Sequence, residues 1–297
     1  MIFDKVVDLL KKVIEYGRVG GDEHRLGAVA ASEVLGGYDR NRVAVLRLHQ
    51  QYLAVIVGAS SGLGRALAEH YLRQGHRVAL AARRTELLEE LARAVPSAVP
   101  PVVERLDVCE PSEAVAALER MADALGGHID LYLHCSGIGR MTPEIRFEDE
   151  LPMLSTNVTG WTACVDWAFR RFLSQGSGTL AAITSFAANR GLGPAPAYSA
   201  SKAFQAHYLE ALRQHAAVHG AKEVRIVDLR PGFVDTPLLA HPERLFWVLP
   251  VEKAVRHIVR AVEAGCPVCT LSRRWRWFAP MLRLAPRRLI VRVLRKA

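Results

Sequence analysis

The residues best suited to chemistry are a tyrosine and a lysine four positions apart, Tyr198 and Lys202, beside a predicted helix over residues 199–219. Positions i and i+4 share one helix face, so the lysine ammonium can lie near the tyrosine phenol. A nearby cation stabilises phenolate and lowers the pKa of the phenol towards the working pH, as a general acid or base requires. The same spacing also occurs by chance on helix surfaces, where it has no chemical role.

A serine can serve the same reaction. Ser185 directly follows a predicted strand over residues 179–184. In a parallel sheet the carboxyl ends of the strands open onto the ligand crevice. Together with Tyr198 and Lys202, this hydroxyl predicts a site for proton transfer to or from a substrate oxygen.

A glycine-rich turn follows the first predicted strand and precedes a helix. In such a turn backbone N–H groups approach a pyrophosphate, and a side chain at the closest points would block them. The turn therefore predicts a dinucleotide site. Its residues are Gly58, Ala59, Ser60, Ser61, Gly62, Leu63 and Gly64.

Two arginines, Arg83 and Arg84, follow the next predicted strand, where the adenosine ribose of a bound dinucleotide would lie. A carboxylate at this point favours NAD, whereas a guanidinium can pair with the 2′-phosphate of NADP(H). The cofactor is therefore predicted to be NADP(H). The alternative is that both arginines are solvated charges at the start of a helix.

Residues 51–265 alternate short apolar runs with longer helical patterns. Apolar strands that alternate with helices predict a parallel sheet covered on both faces, which is the doubly wound α/β architecture of the Rossmann fold. We therefore predict a single catalytic domain over this range. The predicted strands are 52–57, 77–81, 102–106, 129–133, 179–184 and 225–229, and the predicted helices between them are 64–74, 86–94, 112–125, 158–174 and 199–219.

Several motifs, in the same order over about 200 residues, resemble those of the short-chain dehydrogenase/reductase family. The glycine-rich turn is similar to the family's, with Val57 in place of a threonine. The other matching residues are Asp107 and Val108 for adenine, Asn157, Ser185, Tyr198 and Lys202 for the catalytic tetrad, and Pro231, Gly232, Val234 and Thr236 for the nicotinamide.

One segment departs from the family's pattern. The family's Asn-Asn-Ala-Gly stretch appears as His134, Cys135, Ser136 and Gly137. In the family those asparagines support the sheet and the cofactor pocket, so the change bears on local stability more than on chemistry. The retained Gly137 is expected to let the backbone approach the cofactor.

The resemblance implies a mechanism and an assembly. Hydride would pass from the nicotinamide to a substrate carbonyl carbon while Tyr198 donates its proton to the oxygen, which Ser185 hydrogen-bonds. Lys202 would hold the nicotinamide ribose and lower the pKa of Tyr198, and Asn157 would position a water that returns the proton through Lys202. The family usually forms dimers or tetramers, so a homodimer or homotetramer is expected.

The segment after Thr236 lies where the family places its substrate lid. Its apolar residues Leu238, Leu239, Phe246 and Trp247 predict a lipophilic carbonyl or alcohol substrate. The alternative is that some of them pack on the domain beneath.

Two appendages flank the catalytic domain: a predicted helical annex over residues 1–50, which matches no known pattern, and a last strand with a basic tail over residues 266–297. Nine of the 39 basic residues and none of the 30 acidic residues lie after residue 264, so the net charge of +9 belongs to the tail. Residues 287–296 predict an amphipathic helix with a basic face, and Trp275, Trp277 and Phe278 alternate with arginines.

This tail has three interpretations. Basic helices with aromatic and aliphatic partners lie on anionic membranes, so residues 273–297 could attach the protein there and draw substrate from the lipid. The tail could instead pack on another subunit, or its charge could simply be solvated. No recognisable nucleic-acid reader accompanies the arginines, so nucleic-acid binding is not expected.

The sequence also predicts the cellular location and the state of the cysteines. No apolar run of about 18 residues or signal-peptide pattern occurs, which predicts a cytoplasmic protein, with peripheral attachment to the inner face of a membrane under the first interpretation. Five scattered cysteines fit a reducing compartment. Cys266 and Cys269 have motif-like spacing but cannot complete a zinc site alone, so no metal is predicted.

Two functional hypotheses from different classes remain. The first is an NADPH-dependent reductase that transfers hydride to a lipophilic carbonyl, with Tyr198 as general acid. The second is a non-catalytic NADP-binding protein that senses the cofactor or scaffolds partners. Consumption of NADPH with a panel of hydrophobic carbonyls would distinguish them.

Overall fold

A computed structural model describes residues 51–142, 144–239 and 245–296, without the side chains of residues 293–296. The predicted annex over residues 1–50 lies outside the described residues. Among the described residues, no helix has the length and apolar character that a membrane span requires.

The described chain forms a parallel sheet of seven strands in the order β3-β2-β1-β4-β5-β6-β7. This confirms the predicted doubly wound α/β fold. The order reverses between β1 and β4, and in such sheets ligands bind at the carboxyl ends of the strands beside that reversal. The strands are β1 (Leu53–Val57), β2 (Arg77–Ala82), β3 (Val102–Arg105), β4 (Leu131–His134), β5 (Gly178–Ile183), β6 (Val224–Arg230) and β7 (Val268–Thr270).

Helices cover both faces of the sheet, and each face has its own apolar core. The central strand β1 serves both cores, since Val55 and Val57 point to one and Ala54 and Ile56 to the other. One core contains α3 (Pro111–Ala124), α5 (Trp161–Gln175) and α6 (Pro196–Val218); the other contains α1 (Gly62–Arg73), α2 (Thr85–Ala94) and α7 (Val251–Glu263). Burial on both sides explains why these strands read as uninterrupted apolar runs.

Two helix boundaries differ from the prediction in ways that matter for the site. A short helix α4 (Phe147–Leu154) and one π-helical turn (Ser155–Gly160) precede α5, and Asn157 lies in that turn. Helix α6 begins at Pro196, a residue favoured in the first turn because it lacks an N–H that the helix would leave unpaired. Tyr198 therefore lies within the first turn of α6 rather than in front of the helix.

The tail packs on its own domain, an arrangement that none of the three interpretations included. Strand β7 pairs with β6, and α8 (Arg273–Leu284) and α9 (Arg287–Lys296) follow it. The Ser272 hydroxyl accepts a hydrogen bond from the Trp275 backbone N–H and caps α8. Helix α8 buries Trp275, Phe278 and Leu282 against Phe186, and the lid residues Phe246 and Trp247 join the same cluster.

We expect Trp275→Ala to lower the free energy of unfolding by about 3–5 kcal/mol, because it empties a fully buried aromatic site. The matched control is Trp277→Ala on the outer face of the same helix, which should change this free energy by less than about 0.5 kcal/mol. Urea unfolding followed by circular dichroism measures both. Equal losses from the two variants would contradict the orientation of α8.

Candidate active site

The glycine-rich turn is held so closely that two of its positions have no room for a side chain. A Cβ on Gly58, whose φ is +86°, would lie 2.6 Å from the backbone nitrogen of Ser136. A Cβ on Gly64 would lie 2.1 Å from the carbonyl oxygen of Gly58. Helix α1 starts at Gly62 with no side chain capping its N-terminus, so backbone N–H groups can bind a phosphate there.

Ser60, Ser61 and Leu63 complete this turn. The Arg84 guanidinium donates to the hydroxyls of Ser60 and Ser61, each at 3.1 Å. Arg83 and Arg84 are both exposed. Of the two arginines predicted to meet a 2′-phosphate, Arg84 therefore contacts the glycine-rich turn.

The two residues predicted to contact adenine follow β3. The Asp107 carboxylate accepts a hydrogen bond from the backbone N–H of Cys109 at 3.0 Å. Val108 is buried, and its carbonyl oxygen would lie 2.0 Å from a Cβ on Gly160. The π-helical turn therefore approaches the end of β3 through a glycine.

Ser185, Tyr198 and Lys202 line one cavity of about 500 Å³ at the carboxyl ends of the strands. The Lys202 nitrogen lies 5.9 Å from the centre of the Tyr198 ring. Ser185 lies two residues after β5 and accepts a hydrogen bond from the backbone N–H of Ala187. The three groups predicted to perform proton transfer thus face the same space.

The ionisation of these groups depends mainly on burial. Burial raises the pKa of the Tyr198 phenol, and a hydrogen bond with the Ser185 hydroxyl opposes that rise. Burial lowers the pKa of Lys202 to about 8, and the Asp228 carboxylate acts in the opposite direction. The predicted lowering of the Tyr198 pKa by Lys202 is therefore not the dominant effect, and Tyr198 carries its proton at neutral pH.

Asn157 lies behind the cavity. Its side-chain oxygen accepts from the backbone N–H of Ile138 at 3.0 Å, and its amide nitrogen donates to the Ile138 carbonyl at 2.8 Å and to the Ser201 hydroxyl at 3.1 Å. These bonds fix the segment that carries Gly137, which lines the cavity. Asn157 thus ties the end of β4 to helix α6.

The departure at His134 is accommodated by a new internal contact. Its Nδ1 atom lies 2.8 Å from the Tyr132 hydroxyl. Burial lowers the pKa of His134 to about 3, so the ring is neutral. Its Nε2 atom has no hydrogen-bond partner among the described residues, which costs stability.

The segment predicted to bind the nicotinamide and half of the predicted lid reach the cavity. Pro231, Gly232, Val234, Thr236, Leu238 and Leu239 line it, whereas Phe246 and Trp247 pack against Trp275. The alternative interpretation, in which lid residues pack on the domain, therefore applies to these two aromatic residues.

Several residues of the cavity wall were not among those predicted from the sequence. Trp275 from α8 contacts the segment after β6 so closely that a Cβ on Gly232 would lie 2.2 Å from its ring. No local pattern signals this long-range contact. The other missed wall residues include Met141, Phe186, Leu192, Pro194 and Phe233.

The residues present fit a nicotinamide dinucleotide. Glycines leave room for the backbone to approach a pyrophosphate, exposed guanidinium groups flank the turn, and a cavity continues to Tyr198 and Lys202. In the described ranges, no three His, Cys, Asp or Glu side chains are grouped to hold a metal ion.

Comparison with known proteins agrees with this geometry. The family model for short chain dehydrogenases matches residues 52–244. An uncharacterized oxidoreductase of Myxococcus xanthus is 39% identical over 194 residues, which cover 63% of this chain and 74% of that protein.

Two solved structures share the fold at lower identity. A short chain dehydrogenase from Burkholderia cenocepacia in complex with NADP has a TM-score of 0.69 and 23% identity, covering 82% of this chain and 98% of that one. A 3-ketoacyl-(acyl-carrier-protein) reductase from Brucella melitensis complexed with NADH has a TM-score of 0.64 and 21% identity. The match covers 73% of this chain and 94% of that one. The family match, together with the glycine-rich turn and the Ser185, Tyr198 and Lys202 cavity, shows that this chain is an oxidoreductase of the short-chain dehydrogenase family.

Proposed function

We propose that the protein is an NADPH-dependent reductase of a lipophilic carbonyl compound, with Tyr198 as the proton donor. The observation that carries this proposal is the cavity itself, in which Ser185, Tyr198 and Lys202 face a mainly apolar space. Bound NADPH would supply the hydride.

The side chains divide the remaining work. Tyr198, which burial keeps protonated at neutral pH, donates its hydroxyl proton to the carbonyl oxygen. Ser185 donates a hydrogen bond to that oxygen as negative charge develops. The Lys202 ammonium binds the nicotinamide ribose and stabilises the phenolate left on Tyr198. Asn157 holds the Ile138 backbone and so keeps the cavity wall in position.

Replacement of Tyr198 by phenylalanine tests the central role. Tyr198→Phe should reduce turnover by at least about 100-fold, since general acid catalysis contributes about 10²–10⁴-fold. NADPH binding, measured by fluorescence titration, should persist. Tyr208→Phe removes another hydroxyl from the same helix and should retain most of the activity. Turnover retained in Tyr198→Phe would refute the mechanism. If the wild-type protein binds NADPH but reduces none of a panel of hydrophobic carbonyls, that result would favour the sensor or scaffold alternative.

The preference for NADPH rests on the exposed guanidinium groups of Arg83 and Arg84. The hydrogen bonds of Arg84 to the hydroxyls of Ser60 and Ser61 support this preference, because they hold a guanidinium group at the glycine-rich turn. A phosphate oxygen with a guanidinium forms a strong, charge-assisted hydrogen bond.

The double variant Arg83→Ala with Arg84→Ala should raise the KM for NADPH roughly tenfold or more. The KM for NADH should change little, because NADH has no 2′-phosphate. Arg93→Ala, an exposed arginine near the end of α2, is the matched control and should leave both values unchanged. Equal increases for the two cofactors would contradict a 2′-phosphate site.

A lipophilic substrate is supported by the wall of the cavity beyond Tyr198. This wall is built from side chains of the tail, the lid and the loops, and nearly all of these side chains are apolar. The apolar residues are Met141, Phe186, Leu192, Pro194, Phe233, Leu238, Leu239, Leu245 and Trp275. Such a wall favours hydrocarbon or aromatic groups next to the reacting carbonyl.

Attachment to an anionic membrane is supported by the outer face of α8, whose inner face contributes Trp275 to the cavity. On the outer face Trp277, Met281 and Leu284 are 72%, 38% and 81% exposed. Their spacing places them on one side of the helix. Exposed arginines surround them, namely Arg273, Arg274, Arg276, Arg283, Arg287 and Arg288. An apolar strip with a basic rim suits a negatively charged lipid surface at the inner face of a membrane.

Co-sedimentation with phosphatidylglycerol vesicles tests this attachment. The double variant Trp277→Ser with Leu284→Ser should reduce the bound fraction several-fold and leave the fold intact, since both side chains are exposed. The control Ile145→Ser with Phe147→Ser removes two exposed apolar side chains elsewhere and should not reduce binding. Unchanged binding in the α8 variant would refute the proposal, and a change in oligomeric state, measured by sedimentation velocity, would favour a second subunit as the occupant.

A further inference from the structure

Gln205 is a completely buried polar residue that the proposed mechanism does not use. It lies on α6 three residues after Lys202 and seven after Tyr198, so all three side chains share one helix face. A buried amide is costly unless its oxygen and nitrogen are both hydrogen-bonded. The partners of this amide therefore indicate what it does.

Both ends of the amide contact groups of the candidate active site. The Lys202 ammonium donates to the Gln205 side-chain oxygen at 3.0 Å. The Gln205 side-chain nitrogen donates to the backbone carbonyl of Asn157 at 2.8 Å. An ammonium can only donate and a carbonyl can only accept, so the chemistry of the two partners allows a single orientation of the amide.

The Lys202 ammonium has three N–H donors, and two of them bind to fixed oxygens. One binds to Gln205 and another to the backbone carbonyl of Ile183 at 3.2 Å. The remaining donor is available to the cavity, which Lys202 also lines. The direction of the ammonium therefore depends on Gln205 and on the end of β5.

We propose that Gln205 is a positioning residue that holds the Lys202 ammonium in its charged form and directs it towards the cavity. The bridge anchors Lys202 to the π-helical turn through the Asn157 carbonyl. Its nitrogen only donates and its oxygen only accepts, so the amide joins these groups without passing a proton between them. The inference rests on the proposed function, in which a charged Lys202 stabilises the Tyr198 phenolate.

In the part of the chain that the structure describes, titratable groups lie near Lys202 on three elements. Tyr198 lies on the same helix, the Asp228 carboxylate lies on β6, and His134 lies on β4. Asp228 is itself hydrogen-bonded to Arg230 and Thr184. With burial lowering the pKa of Lys202 to about 8, loss of the Gln205 oxygen should lower it further, and a carboxylate at this position should raise it.

Two substitutions with opposite effects test the proposal. Gln205→Leu removes the acceptor and should lower the pKa of Lys202 by about one unit, as expected for a lost hydrogen bond to a charged group. Gln205→Glu keeps an acceptor and adds negative charge, so it should raise that pKa. The matched controls Gln214→Leu and Gln214→Glu, at an exposed position on the same helix, should shift it little.

The pKa of Lys202 can be measured without cofactor or turnover. Trace acetylation with acetic anhydride at a series of pH values, followed by mass spectrometry of the Lys202 peptide, reports its titration, with exposed Lys222 and Lys253 as internal references. Thermal unfolding identifies any variant that fails to fold. If Gln205→Leu fails to fold, Gln205→Glu still tests the proposal, because glutamate has nearly the same shape as glutamine.

Kinetics provide a second measurement. Reduction requires a charged Lys202, so the rate should fall at high pH, and this alkaline limb should move to lower pH in Gln205→Leu and to higher pH in Gln205→Glu. The proposal is overturned if Gln205→Leu folds but leaves the Lys202 titration unchanged, or if Gln205→Glu lowers the pKa as well. Failure of the proposed function is separate, because it would appear as full turnover by Tyr198→Phe.

Discussion

The site depends on one buried positive charge, the Lys202 ammonium, which is 5% exposed. A charge in this environment is costly unless fixed oxygens replace the water that it has lost. The Ile183 carbonyl and the Gln205 amide provide those oxygens, and each belongs to a different element of the fold. Helix α6 by itself brings Lys202 near Tyr198, but the end of β5 and the π-helical turn must also assemble before these oxygens can surround the Lys202 ammonium.

The second constraint is close approach of the backbone around the cavity. Gly58 and Gly64 let β1, the loop after β4 and helix α1 meet at the glycine-rich turn, and Gly232 lets Trp275 pack on the segment after β6. This last contact joins the tail to the catalytic domain, and the hydrogen bond from the Trp275 indole to the Trp247 carbonyl joins it to the lid. The wall on the substrate side of the cavity is therefore built by residues far apart in the sequence.

Helix α8 has a buried face and an exposed face, which its sequence pattern alone does not distinguish. Its aromatic residues alternate with arginines, yet Trp275 and Phe278 are buried while Trp277 is exposed, because the helical period turns neighbouring residues in different directions. The inner face encloses the cavity and the outer face carries the apolar strip with its basic rim.

The doubly wound sheet, the glycine-rich turn after β1 and the grouping of Ser185 with Tyr198 and Lys202 could be predicted from the sequence. These features depend on short-range patterns, namely apolar runs, glycine spacing and an i, i+4 pair, and they match an extensive family. Tertiary structure alone decided that α8 forms a wall of the cavity, that Phe246 and Trp247 turn away from it, and that Gln205 bridges Lys202 to Asn157. Those outcomes depend on contacts between residues distant along the chain, and local periodicity does not specify which distant surfaces will meet.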